Sequence, residues 1–160
     1  KPFMATSHRP PGGFFMPALP PPPPHHCCIH IDGSSLPNPG PMSLGAVLRM
    51  PDGSQHQLSQ NLHRSGCNNE AELRALMAAL NRARSLGARS LTVRTDSHVL
   101  LEQLGPHLPK PARPIARLSH LFEEARASMQ GFDELVLQWV PRHRNIEADA
   151  LARAAHSATA

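Results

Sequence analysis

A chain of 160 residues with 40% hydrophobic content is long enough for about one domain with a buried core. Its net charge of +4, from 16 Lys and Arg against 12 Asp and Glu, favours a polyanionic partner only weakly. Three cysteines, two of them adjacent, do not make a disulfide framework, so we expect a reducing, cytoplasmic environment.

Residues 1–26 are predicted to form a disordered, proline-rich tail. Half of the 18 prolines lie before Cys27, and proline runs lack the backbone donors that helices and sheets need. The tail has no continuous apolar stretch like that of a signal peptide, and no run in the chain approaches the roughly twenty residues that cross a bilayer. The alternative interpretation is that the tail is a ligand for a proline-binding domain of an unidentified partner protein. We expect one globular domain at residues 27–157, followed by a short tail at 158–160.

Alternating apolar and polar residues predict a meander of strands after the tail. Three strands are predicted, at residues 29–32, 44–50 and 55–62. In the first strand, Ile29 and Ile31 point to one face and Asp32 to the other. The PDGS segment at 51–54 favours a tight turn between the second and third strands, because Pro sets φ and Gly supplies a positive φ. The polar third strand is predicted to lie at the edge of an antiparallel sheet.

The second half of the chain alternates helices and strands. An apolar stripe at helical spacing predicts a helix with Asn69 as its N-cap and Gly87 at its end. Further elements are predicted as a strand at 91–96, helices at 97–104 and 115–129, a strand at 135–140 and a helix at 145–155. This order implies an α/β fold with a five-stranded mixed sheet, three antiparallel strands followed by parallel additions, and helices on both faces. If the strands at 29–32 and 91–96 pair in parallel, Asp32 and Asp96 lie side by side where open α/β sheets bind ligands.

Four acids lie at the ends of predicted elements. They are Asp32, Glu72, Asp96 and Asp149. An Asx turn is the structural alternative for Asp32, a capping box for Glu72, and a helix-dipole contact for Asp149. A carboxylate at Asp96 costs free energy unless it is paired or bound to a metal. Together, the four carboxylates can converge and hold hard divalent cations, which prefer oxygen ligands.

Four segments in order carry a family resemblance. They are DGSSLPNPGP, CNNEAELRALMAAL, VRTDS and WVPRHRNIEADALARAA. Over residues 29–155 the chain closely resembles the type I ribonuclease H family. The resemblance implies the ribonuclease H-like fold and cleavage of the RNA strand of RNA–DNA hybrids, leaving 5′-phosphate and 3′-hydroxyl ends. We expect a monomer.

The resemblance also assigns residues to the site. Asp32, Glu72, Asp96 and Asp149 match the family's metal-binding carboxylates, for two Mg²⁺ or Mn²⁺ ions. Asn38, Asn68 and Asn69 match positions that contact the hybrid. His143 matches a catalytic histidine proposed to assist proton transfer or product release.

Several alternatives remain open at this point. Arg142 or Arg144 could supply positive charge in place of His143, or His143 could be a solvated loop residue. Trp139 is predicted to lie in the core rather than to stack on a base.

Three departures qualify the match: Cys67 replaces the usual phosphate-binding Thr, Pro37 replaces a common Gly, and a short link at 105–114 replaces a basic protrusion. A non-catalytic nucleic-acid-binding relative and a resolvase-like nuclease are the alternative functions. The four intact acids argue against the first, since binding alone needs basic residues. The paired Asn residues argue against the second.

Overall fold

The computed structural model describes residues 26–105 and 114–157. The strands within these residues are β1 His26–Ser35, β2 Gly40–Arg49, β3 Gln55–Gly66, β4 Ser90–Thr95 and β5 Glu134–Trp139. The helices are α1 Asn68–Ser85, α2 His98–Leu104, α3 Ser119–Gln130 and α4 Ile146–Ser157, with 3-10 turns at Ala116–Leu118 and Arg142–Arg144. The predicted tails, apart from His26, and most of the link at 105–114 lie outside the described residues. No described helix is both long and apolar enough to cross a membrane.

The strands form one sheet in the order β3-β2-β1-β4-β5. β1, β2 and β3 are antiparallel, whereas β4 pairs in parallel with β1 and β5 in parallel with β4. The predicted five-stranded mixed sheet is therefore confirmed, as is the edge position of β3. Pairing of Ile29 with Val93 and of His30 with Arg94 brings the ends of β1 and β4 to the same edge of the sheet. Asp32 and Asp96 consequently lie next to each other.

Helices cover both faces of the sheet, as predicted. On one face, α1 packs on β1 and β2, and the α2 and α3 side chains Leu100 and Phe122 extend the buried core. On the other face, α4 packs against β1, β2 and β3. Among the described elements, no helix is recorded packing on the α4 face of β4 and β5. This half of the face is lined by polar side chains, among them His30 and Arg94.

Two glycines bring helices of opposite faces close to Asp32. A Cβ atom on Gly33 would overlap the backbone of Ala71 in α1, and a Cβ atom on Gly45 would overlap the backbone of Ala148 in α4. Gly45 is also the Cα partner of Asp32 in the β1–β2 pair. The two close approaches therefore hold the acid-bearing turns of α1 and α4 against the end of β1.

Helix α1 begins two residues earlier than the sequence predicts. Its N-cap is Cys67, which makes no side-chain capping bond, and its first helical residue is Asn68. The predicted capping role of Asn69 is therefore wrong. Glu72 consequently lies in the second turn, so the capping-box alternative for Glu72 is wrong as well. The N3 position belongs to Glu70, which pairs with Arg74 at 2.8 Å.

Candidate active site

Three carboxylates meet where the pairing of β1 with β4 ends; Asp32 lies within β1, and Asp96 follows β4. Asp32, Glu72 and Asp96 each offer an oxygen, and these oxygens lie within 4.8 Å of one another. Asp32 is 6% exposed and Glu72 is 8% exposed. The Gly33 N–H donates to the Glu72 carboxylate, so the strand–helix contact at this glycine also orients the acid. Among residues 26–105 and 114–157, this is the one cluster of three or more His, Cys, Asp or Glu with such spacing.

Burial and mutual repulsion raise the pKa values of two of these acids. Burial, followed by the charge of Asp96, raises the pKa of Asp32 to about 7. Burial, followed by the charges of Asp32 and Asp96, raises the pKa of Glu72 well above its usual value. The Oε2 atom of Glu72 is buried and has no hydrogen-bond partner among the described residues. Crowded, buried oxygens short of donors are what a hard divalent cation coordinates, so the set fits Mg²⁺ or Mn²⁺.

Asp149 lies at the edge of this trio. It lines a cavity of about 460 Å³ together with Asp32 and Glu72. Its charge and a hydrogen bond between the two carboxyl groups contribute to the raised pKa of Asp32. Arg153, one helical turn further, lies 3.0 Å from an Asp149 oxygen. The structure therefore brings the four predicted acids together, with Asp149 also held by an arginine of its own helix.

Asn145 fastens the start of α4 to the two acid-bearing strands. Its side chain is 1% exposed, donates to the Ile31 carbonyl at 2.8 Å and lies 3.5 Å from an oxygen of Asp96. Its own carbonyl accepts from the Asp149 N–H. The sequence indicated Asn145 only as a helix start, and its polar type before an apolar helix was the sole signal of a larger role.

The predicted substrate-binding asparagines tie the loop after β1 to the start of α1. The Asn38 amide oxygen accepts from the Asn68 N–H at 3.0 Å, and the Asn68 amide oxygen accepts from the Ser35 N–H at 2.9 Å. Within the described part of the chain, the NH₂ groups of these two amides make no recorded hydrogen bond. Asn69 neighbours them in the first turn of α1. Two amide NH₂ groups therefore remain available, that of Asn68 at the wall of the carboxylate cavity.

The structure separates Arg142 from His143. Arg142 lines the carboxylate cavity, whereas His143 lines a second cavity with His30 and Trp139. Successive residues of a 3-10 turn point about 120° apart, so the two side chains cannot both face the acids. His143 is thus not brought to the carboxylates. Arg142, one of the two alternatives that the sequence left open, lies at the carboxylates instead.

Cys67 occupies an electropositive position at the start of α1. The Arg117 guanidinium donates to its sulfur at 3.2 Å. Burial raises the pKa of the Cys67 thiol, but the Glu70 and Asn69 N–H groups and Arg117 outweigh burial, so the pKa is lowered on balance. A helix N-terminus beside a guanidinium attracts anions, so the change from Thr leaves a positive potential at this position.

The sequence comparisons identify a family. A family model described as reverse transcriptase-like matches residues 30–155. The chain is 39% identical over 134 residues to the bifunctional protein Rv2228c of Mycobacterium tuberculosis, covering 82% of this chain and 36% of that protein. It is 35% identical over 130 residues to ribonuclease HI of Halobacterium salinarum, covering 79% and 62% respectively. The chain therefore spans less than two thirds of the length of these curated relatives.

Solved structures agree with this grouping. The N-terminal ribonuclease H domain of Rv2228c matches with a TM-score of 0.70 and 38% identity, over 81% of this chain and 98% of that one. RNase H1 of H. salinarum matches with a TM-score of 0.73 and 32% identity, over 84% of this chain and 99% of that one. LC11-RNase H1, solved in complex with an RNA/DNA hybrid, matches with a TM-score of 0.68 and 29% identity, over 81% of this chain and 95% of that one. The predicted ribonuclease H-like fold is confirmed, and the chain belongs to the reverse transcriptase-like family of type 1 ribonucleases H.

Proposed function

We propose that this chain hydrolyses the RNA strand of RNA–DNA hybrids, leaving 5′-phosphate and 3′-hydroxyl ends. The observation that carries the proposal is the meeting of Asp32, Glu72 and Asp96 oxygens within 4.8 Å, with Asp149 beside them. The hybrid bound by LC11-RNase H1 supports the choice of substrate. We further propose a monomer in the cytoplasm, a location that the free thiols of Cys27, Cys28 and Cys67 favour.

The four carboxylates would hold two Mg²⁺ or Mn²⁺ ions. Ions bound there would activate the attacking water and stabilise the leaving oxygen of a phosphodiester. The protein's own part is to hold the acids in place, through the Gly33 N–H on Glu72 and through Asn145 between β1 and Asp96. Arg142 adds positive charge at the cavity wall, where the substrate phosphate would approach.

Discrimination between RNA and DNA requires contacts to the 2′-hydroxyl. The amide oxygens of Asn38 and Asn68 are used within the protein, so their NH₂ groups are the ones that face a substrate. An amide NH₂ donates, and a 2′-hydroxyl can accept. We propose that these two asparagines, with Asn69, select the RNA strand.

A panel of matched substrates tests the proposed function. One sequence prepared as hybrid, double-stranded DNA, double-stranded RNA and branched DNA is incubated with Mg²⁺, with Mn²⁺ and with EDTA, and the products are separated on a denaturing gel. We expect cleavage of the RNA strand of the hybrid alone, and only with metal. Hybrid binding without cleavage would favour the non-catalytic relative, and cleavage of branched DNA would favour the resolvase-like nuclease.

Arg142→Ala is expected to lower hybrid cleavage by about 10²-fold, since one donor that stabilises developing charge is worth roughly 10²–10³ in rate. His143→Ala should change the rate much less, because His143 faces the other cavity. Single-turnover rates with saturating enzyme measure both effects on the chemical step. Arg89→Ala, at the opposite end of β4, controls for the loss of one positive charge. A large loss in His143→Ala with normal Arg142→Ala would return the role to the histidine.

A further inference from the structure

A second cavity lies on the half of the sheet face that α4 leaves open. Its volume is about 620 Å³, within the roughly 300–1,000 Å³ of small-ligand pockets. Its floor is a row across three strands, formed by His30, Arg94 and Gln138, which are register partners. Its wall is the segment after β5, including His143 and Arg144.

Positive charge dominates this cavity. No Asp or Glu lines it, whereas Arg94 and Arg144 do, and neither is in an ion pair among the described residues. Gln138 accepts from the Arg94 Nε at 2.9 Å, which holds the guanidinium and leaves its terminal NH₂ groups without a recorded partner in residues 26–105 and 114–157. The nearby Glu147 is already paired with Arg49 at 2.6 Å. The cavity therefore suits an anion.

Two further residues that line the cavity, His30 and Trp139, bear on what it could bind. The Nδ1 atom of His30 is buried without a hydrogen bond to any described residue. Trp139, predicted to be a core residue, is 41% exposed because it ends the edge strand β5, so that prediction is wrong. Its ring stacks on His98 of α2 with the ring centroids 5.0 Å apart, and the residue also lines the cavity. An exposed aromatic ring beside arginines is the combination that binds a base and its phosphate.

We propose that this cavity is a nucleotide-binding subsite, with the phosphate on Arg94 and Arg144 and the base beside Trp139. The subsite adjoins the carboxylates, because His30 and Asp32 lie on the same face of β1, about 7 Å apart at the usual strand rise. A strand that leaves the carboxylate site reaches the cavity within about two phosphates, at 3.4 Å of axis per phosphate. When the end of a hybrid lies at the carboxylates, the next nucleotide is unpaired and can enter the cavity. The occupant is therefore a nucleotide of a single-stranded extension, an identification that rests on the proposed function.

Binding of labelled hybrids in EDTA, measured by fluorescence anisotropy, tests the subsite without cleavage. A blunt hybrid is compared with hybrids that carry a 5′ or a 3′ single-stranded RNA extension. We expect one extension to tighten binding by about fivefold or more, the size of one stacked base. Trp139→Ala should remove this advantage, and Arg94→Gln should lower the salt slope by about 0.7 for one lost phosphate contact. Arg89→Gln, which removes the same charge at the far end of β4, should change neither quantity.

The outcomes separate the subsite from the proposed function. Adenosine 5′-monophosphate that binds with the same dependence on Arg94 and Trp139, without any advantage from an extension, would support the cavity but assign it to a free nucleotide. Cleavage of blunt hybrid by a wild-type chain that shows neither effect would overturn the subsite and leave the function standing. An extension effect in a wild-type chain that cleaves no hybrid would support the subsite and overturn the proposed function.

Discussion

Asp96→Asn is expected to abolish metal-dependent cleavage of the hybrid while the fold survives. Asp96 is one of three acids whose oxygens lie within 4.8 Å, and Asn keeps its size while losing the charge that holds a divalent cation. Metal ions stabilise transition-state charge by several kcal/mol, so we expect a loss of about 10³-fold or more. Asp32→Asn should behave in the same way. Single-turnover cleavage with saturating Mg²⁺ measures the loss.

A matched control makes this result specific. Asp133→Asn is the same chemical change at an exposed residue, where Asp133 pairs only with Arg89 at the start of β4. Its activity should equal that of the wild type, because Asp133 lies at the opposite end of β4 from the acids and an exposed ion pair contributes only about 0–1 kcal/mol to stability. Circular dichroism shows whether each variant is folded. Wild-type turnover by folded Asp96→Asn would show that the four acids do not carry the reaction.

Strand patterns predicted the placement of the acids better than helix-start rules did. The alternation around Ile29 and Ile31 fixed which face Asp32 occupies, and parallel pairing with β4 then placed Asp96 beside it. Both inferences rest on a period of two, which a strand cannot violate without turning its apolar side chains to solvent. This part of the site followed from local sequence.

Positions set by contacts between distant elements were not predictable in this way. Asn69 was predicted as the cap of α1 from its residue type, but the helix begins at Asn68. The Asn68 amide oxygen accepts a hydrogen bond from the Ser35 N–H in β1. Trp139 was predicted to lie in the core, yet its strand is at the sheet edge, and its ring, stacked on His98 at the start of α2, leaves the residue 41% exposed. Both errors come from tertiary neighbours that residue types do not reveal.

The choice between Arg142 and His143 illustrates the same limit. The sequence places both in the PRHRN loop, and only the orientation of a 3-10 turn decides which one faces the carboxylates. Asn145 likewise has an ordinary type at an ordinary position, and its role depends on reaching the Ile31 carbonyl 114 positions away. Such roles depend on orientation and distance, which residue spacing does not specify.

In EDTA at pH 8, Asp96→Asn is expected to be more stable than the wild type by about 1–2 kcal/mol, because it removes one of several mutually repelling carboxylates. For a chain of this size, that corresponds to a rise of about 2–8 °C in Tm. Asp96 makes only a weak bond to Asn145, at 3.5 Å, so little is lost in exchange. Differential scanning calorimetry in EDTA measures the difference, with Asp133→Asn as the control for charge.

The pH dependence of this difference has a defined sign. Burial and the charge of Asp96 raise the folded-state pKa of Asp32 from 3.8 to about 7, so the native wild type binds more protons than the unfolded chain between these values. The contribution of Asp32 to the free energy of unfolding is therefore present at low pH and is lost as the pH rises towards 7. Without the Asp96 charge the loss is smaller. The stability gain of Asp96→Asn should accordingly be small near pH 4 and grow towards pH 8.

Mg²⁺ should reverse the order of stability of the two proteins. Binding to the folded state alone stabilises it by RT ln(1 + [Mg²⁺]/Kd), and the wild type, with its full set of acids, has the lower Kd. The wild-type Tm should therefore rise with Mg²⁺ more than that of Asp96→Asn. A variant less stable than the wild type in EDTA and equally responsive to Mg²⁺ would show that Asp96 is structural. The expected result would instead mean that the chain retains repelling acids because the bound ions need them, a trade of stability for activity.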